Sequence, residues 1–128
     1  MHNMKLDPLP LLRDLYGAYQ QILKDNNKAG ITMTRIEVCR KLSTLPAPCL
    51  YISVEFARRI IRSMEKGKQR AHSPWRFRQH HELYRRYLSL PPEKRNTAGI
   101  KEILSRPAPS FYLSPHRINH LLYKSLKS

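Results

Sequence analysis

At 128 residues with 41% hydrophobic side chains, the chain can bury one compact domain, or two small halves sharing a core, and excludes several independent ones. Its 24 Lys and Arg against 9 Asp and Glu leave a formal charge of +15, an excess that opposes compaction and implies a polyanionic partner. The two cysteines form no CxxC pair, no apolar run has membrane-spanning length, and the start MHNMKLDPLPLLRD lacks a signal-peptide hydrophobic region. Free thiols and a soluble, cytoplasmic protein without a membrane partner are therefore expected.

The first predicted helix follows Asp7 and two prolines. It carries Leu12, Leu15, Tyr16, Tyr19, Ile22 and Leu23 at helical spacing, and the polar run KDNNKAG is expected to stop it. Thr34 and Glu37 form a capping box at the start of the second helix, whose apolar face is Val38, Leu42 and Leu45 and whose end is set by Pro46. The phrase PAPCLYIS (46–53) then makes a stiff, non-helical connector. Ser53 caps a third helix with Glu55 in its first turn and Ala57, Ile60, Ile61 and Met64 facing inward.

A basic stretch, 67–73, leads to a fourth helix that starts at Ser73-Pro74 and ends at Tyr87 or Leu90. A short fifth helix spans about Ile100 to Leu104. After PAPSFYLS (107–114), Ser114 caps a sixth helix that has Pro115 at its first position and runs towards Lys127. The predicted fold is all-α.

The two PAP phrases belong to longer matching segments, which read as an internal duplication of a three-helix unit of about sixty residues. LYGAY (15–19) matches LYRRY (83–87), and AGI at 29–31 matches AGI at 98–100. Between AGI and PAP the first copy is longer by eight residues, which predicts a longer second helix there. The expected organisation is a first repeat over 1–66, a basic linker over 67–73 and a second repeat over 74–128, within one pseudo-symmetric domain. A minimal β pairing between extended pieces 49–52 and 110–113 is expected, and Tyr51 and Tyr112 are expected to anchor the connectors.

Charge is uneven: residues 1–65 carry ten basic and six acidic side chains, residues 66–128 fourteen and three. The third helix and the segment after it carry Arg58, Arg59, Arg62, Lys66, Lys68, Arg70, Arg76, Arg78, Arg85 and Arg86, with Trp75, Phe77 and Tyr84 among them. Cations interleaved with aromatics suit phosphate neutralisation and base stacking. On the sixth helix His116, Arg117, Asn119, His120 and Lys124 are expected to face outward, Arg and Asn being the side chains that read guanine and adenine edges.

A capped helix with a basic outer face set behind two others resembles, twice over, the trihelical helix-turn-helix class of DNA-binding domains. That resemblance implies a DNA-binding protein, regulatory or associated with a phage or mobile element, that presents two basic helices to duplex DNA. RNA, ribosomal RNA included, is the alternative ligand, and an adaptor meeting an acidic protein partner or a second copy of the chain is the alternative class. No paired carboxylates, nucleophile motif or glycine-rich phosphate loop is present, so neither an enzyme nor a cofactor is expected. The pair His116 and His120 at i, i+4 lacks further ligands for a metal.

Overall fold

The computed structural model describes residues 8–68, 71 and 73–127, and within them the side chains from 10 to 123. Six α-helices account for most of these residues: α1 Pro8–Ala29, α2 Arg35–Leu42, α3 Val54–Glu65, α4 Pro74–Ser89, α5 Thr97–Ser105 and α6 Pro115–Lys127. A short 3-10 turn, Pro92–Lys94, lies between α4 and α5. The described part of the chain is all-α.

Helix starts follow the local chemistry. Thr34 and Glu37 exchange hydrogen bonds as a capping box, Thr34 N donating to Glu37 Oε1 at 2.7 Å and Glu37 N to Thr34 Oγ1 at 3.3 Å. The backbone bond from Thr34 holds the Glu37 carboxyl below its ordinary pKa. Ser53, Ser73, Asn96 and Ser114 each accept the backbone N–H three residues on, at 3.2, 3.2, 2.9 and 3.1 Å.

Within the polar run KDNNKAG (24–30) α1 stays helical as far as Ala29 and stops at the run's last residue, Gly30. Gly30 ends it at φ 68, with Ile31 N donating to Asn26 O and Gly30 N to Asn27 O, the paired bonds of a Schellman motif. Of the polar side chains 24–28 only Asn26 is buried and the other four are exposed to water, which leaves the hydrogen-bonded helix unopposed there. Gly67, at φ 74, ends α3 in the same way.

The helices pack as two units. One comprises residues 47–108 and holds α3, α4 and α5; the other comprises 8–46 with 109–127 and holds α1, α2 and α6. Within the first, α3 lies on α4 and α5 around Ala57, Ile60, Ile61, Leu83, Ile100 and Ile103. Within the second, α6 lies on α1 and α2 around Leu15, Val38, Leu42, Ile118 and Leu122. Packing therefore divides the chain differently from the sequence repeats. Helix α3 joins α4 and α5, α6 joins α1 and α2, and the chain passes between units at the two PAP phrases.

The connectors explain why those phrases carry their particular residues. Ala47 and Ala108 form an isolated antiparallel bridge, each N–H donating to the other's carbonyl at 2.9 Å. Prolines 46, 48, 107 and 109 have no N–H, so pairing cannot spread beyond the alanine. Both alanines are buried. The expected pairing of 49–52 with 110–113 is thus replaced by a single residue pair further upstream. Leu50 N donates instead to Leu104 O at the end of α5, and Leu50 and Ile52 are buried, while Tyr51 is half-buried.

Two correspondences drawn from the sequence are corrected. Gly30 lies past the end of α1, whereas Gly99 lies in the first turn of α5, so the two AGI triplets do different work. A Cβ on Gly99 would overlap the Lys94 carbonyl oxygen, which is why glycine stands there. Nor is the second helix longer in the first copy: α2 has 8 residues and α5 has 9. The extra length lies in the first helix, since α1 runs ten residues past Tyr19, to Ala29, and α4 two past Tyr87, to Ser89.

Candidate nucleic-acid interface

Helix α3 is the most amphipathic element of the described chain. Ala57, Ile60 and Ile61 are buried at helical spacing, which turns Arg58, Arg59 and Arg62 to solvent, followed by exposed Lys66 and Lys68 at the helix end. None of these five side chains has an ion pair or hydrogen bond among the described residues. Glu55 and Glu65 share the helix, three or four residues from Arg58, Arg59 and Arg62, without pairing with them.

The arginines of α4 and α5 are committed differently. Arg85 makes a two-pronged contact to Glu82, Nε at 3.0 Å and Nη2 at 2.6 Å. Arg106 does the same with Glu102. These bonds hold both carboxyls below their ordinary pKa, Glu82 chiefly through Arg85 and Glu102 chiefly through Arg106. Arg78 lies 4.6 Å from the Trp75 ring and donates to Pro74 O, and Arg76 donates to Gln79 Oε1 at 3.4 Å. Arg76, Arg78 and Arg85 are exposed, but their charges are already engaged.

Arg86 is not at the surface. Its side chain is 5% exposed and its bonds are internal: Nε to Glu82 Oε2 at 2.7 Å, Nη1 to Ile103 O at 2.6 Å and Arg106 O at 3.1 Å, and Nη2 to Pro107 O at 2.7 Å. It satisfies carbonyls left over at the end of α5, so a nucleic-acid contact is replaced by a structural clamp. Arg70 lies outside the described residues, as does the Lys124 side chain.

On α6, His116, Arg117 and His120 are exposed. Asn119 is not turned outward: it is half-buried, and its Oδ1 is buried without a hydrogen-bond partner. Its carbonyl accepts from Arg35 Nη2 at 3.5 Å, and the Arg35 guanidinium lies 5.7 Å from the Tyr123 ring. Ile118 and Leu122 fill the core from neighbouring positions, and Asn119 is drawn in beside Arg35. The α6 residues belong to one unit and the α3 and α4 residues to the other.

Beside α3 lies a cleft of about 470 Å³. Phe56, Ile60 and Met64 give it an apolar wall; Arg59, Arg62, Lys66 and Lys68 line it with cations; Ser63 and His80 of α4 complete it. His80 is 9% exposed, stands edge-on to Phe56 with ring centroids 6.1 Å apart, and has a buried, unpartnered Nε2. Burial, then the charges of Arg76 and His81, push its pKa down to about 4. Phe56, Ser63 and His80 were not legible as site residues from charge alone. The available signal was the spacing of Phe56, Ile60 and Met64, which sets an apolar row beside Arg59, Arg62 and Lys66.

Among the described residues no group of three or more His, Cys, Asp or Glu is arranged to hold a metal ion, and no helix is long and apolar enough to cross a membrane. A scan of protein-family models and searches of curated proteins and of solved structures return no match to this chain.

Proposed function

We propose that the chain binds nucleic acid, duplex DNA foremost, with the outer face of α3 as its main phosphate-contacting surface. The observation that carries this reading is the set of five exposed cations Arg58, Arg59, Arg62, Lys66 and Lys68 on one helix face and its end, none of them ion-paired among the described residues. Neighbouring arginines are neutralised by Glu82 and Glu102, so an excess of this kind needs a polyanion to balance it. In this reading the chain is a duplicated three-helix element of helix-turn-helix type whose copies have exchanged their third helices, and α6 is the second presented helix. Its Arg117, His116 and His120 supply further contacts, and no reaction is assigned to the protein.

The test is fluorescence anisotropy on a random-sequence duplex over a range of salt. Replacing Arg58, Arg59 and Arg62 by Ala should make the slope of log K against log salt shallower by about 2–3, since each lost phosphate contact removes a released counterion. Thermal stability should move little, because these side chains have no internal partners. Arg85→Ala, which removes a charge already paired with Glu82, should change the slope far less. Equal affinity of wild type and the triple variant at low salt would refute the assignment of this face. Binding to structured RNA with indifference to duplex would replace DNA as the ligand.

A further inference from the structure

The cleft beside α3 holds more than a phosphate-binding face requires. Four cations suffice for a backbone, and an apolar wall of Phe56, Ile60 and Met64 adds nothing to phosphate neutralisation. An apolar pocket, conversely, does not by itself gather four cations with no acid in its lining. The two chemistries occur together in a ligand that joins a flat, weakly polar ring to a phosphate, and a volume of about 470 Å³ lies within the range of small-ligand sites.

We propose that this cleft takes one nucleoside monophosphate unit, its base against Phe56 and Met64 and its phosphate on Arg59, Arg62, Lys66 and Lys68. The unit comes either from a strand, as an unstacked nucleotide, or from a free nucleotide. The assignment deepens the nucleic-acid reading and rests on it for the strand as source. His80 supports it independently. It is buried with Nε2 unpartnered, and because burial holds it neutral near pH 7, it meets the ligand as an uncharged ring, not as a fifth cation. A base offers a flat face to lie against Phe56 and the uncharged His80 side chain that lines the cleft beside it.

The experiment is a set of separate titrations of the isotope-labelled full chain with adenosine monophosphate, adenosine and inorganic phosphate, following the amides of Phe56, Ser63, Lys68 and His80 by NMR. The monophosphate should shift these amides and bind about tenfold more tightly than either fragment. Phe56→Leu keeps an apolar side chain but removes the ring, and Lys68→Ala removes an exposed cation; each should weaken the monophosphate several-fold, whereas Lys101→Ala on α5 should not. No shift at these amides, or phosphate alone binding as tightly as the monophosphate, overturns the proposal. A duplex with one unpaired adenosine, bound about tenfold more tightly than its perfect counterpart with the margin lost in Phe56→Leu, identifies the strand as source. A monophosphate response without that margin identifies the free nucleotide. Normal duplex binding with no monophosphate response sinks the cleft and leaves the function standing; the reverse pattern sinks the function and leaves the cleft.

Discussion

The unit of α3, α4 and α5 and the unit of α1, α2 and α6 are built from the same kinds of element, yet they handle charge in opposite ways. Residues 47–108 carry fourteen Lys and Arg against five acids, and residues 7–46 with 109–128 carry nine against four. In the first unit two of the five acids, Glu82 on α4 and Glu102 on α5, hold Arg85, Arg86 and Arg106, while Glu55 and Glu65 on α3 form no ion pair with its cations among the described residues. In the second, Arg35 is drawn against Asn119 and Tyr123 on the presented helix itself. Net charge therefore does not identify a binding face; the placement of the few acids does.

The connectors differ for a steric reason. Leu50, Tyr51 and Ile52 are buried, half-buried and buried, the alternation that an extended chain produces. Phe111, Tyr112 and Leu113 are all buried, and an extended segment cannot turn three consecutive side chains to one side. Tyr112 resolves the conflict by adopting φ 57, a left-handed conformation that costs a non-glycine residue about 1–2 kcal/mol. Ser110 Oγ accepts the Tyr112 N–H at 2.9 Å and supports it; the matching position in the first connector is Cys49.

The comparison breaks most readily at the two internal arginines. Arg86→Met should destabilise the protein by about 3–5 kcal/mol in chemical denaturation, because it leaves the Ile103, Arg106 and Pro107 carbonyls without donors in a buried site. Arg35→Met, which removes one long hydrogen bond and a ring contact, should cost about 1 kcal/mol. Equal losses at both positions would dissolve the distinction between clamp and contact.

Acid should sharpen the difference next. Folding holds the His80 pKa at about 4 against an ordinary 6.5, so between these values the unfolded state binds more protons. Stability is then complete above about pH 6.5 and falls towards pH 4 by up to about 3 kcal/mol. His80→Gln should flatten the denaturation midpoint over that interval.

Smaller effects fall on the glycines and the connector. Gly99→Ala must displace the Lys94 carbonyl and should cost about 1–3 kcal/mol, whereas Gly30→Ala meets open space and should cost about 1 kcal/mol for its positive φ alone. Ser110→Ala should cost about 1 kcal/mol by removing the support for Tyr112, measurable as a shift in thermal midpoint. A neutral Ser110→Ala would mean that the burial of Phe111 and Leu113 holds the turn unaided.

The sequence by itself determined the helical class, the capping residues Thr34, Ser53, Ser73 and Ser114, the proline-bounded connectors and the outward, basic face of α3. These depend on chemistry within a few residues, where spacing and side-chain type decide the outcome. Only the tertiary structure decided which helices pack together, that Arg86 and Asn119 turn inward, that α1 stays helical over 24–29 before Gly30 stops it, and that identical AGI triplets serve as a helix stop and as a close approach. Each of these depends on partners distant in the chain, such as the α5 carbonyls for Arg86 and Arg35 for Asn119, or on exposure that leaves a polar run free to stay helical. A side chain's outward position on one helix cannot show whether a neighbouring element will need its charge more than solvent does.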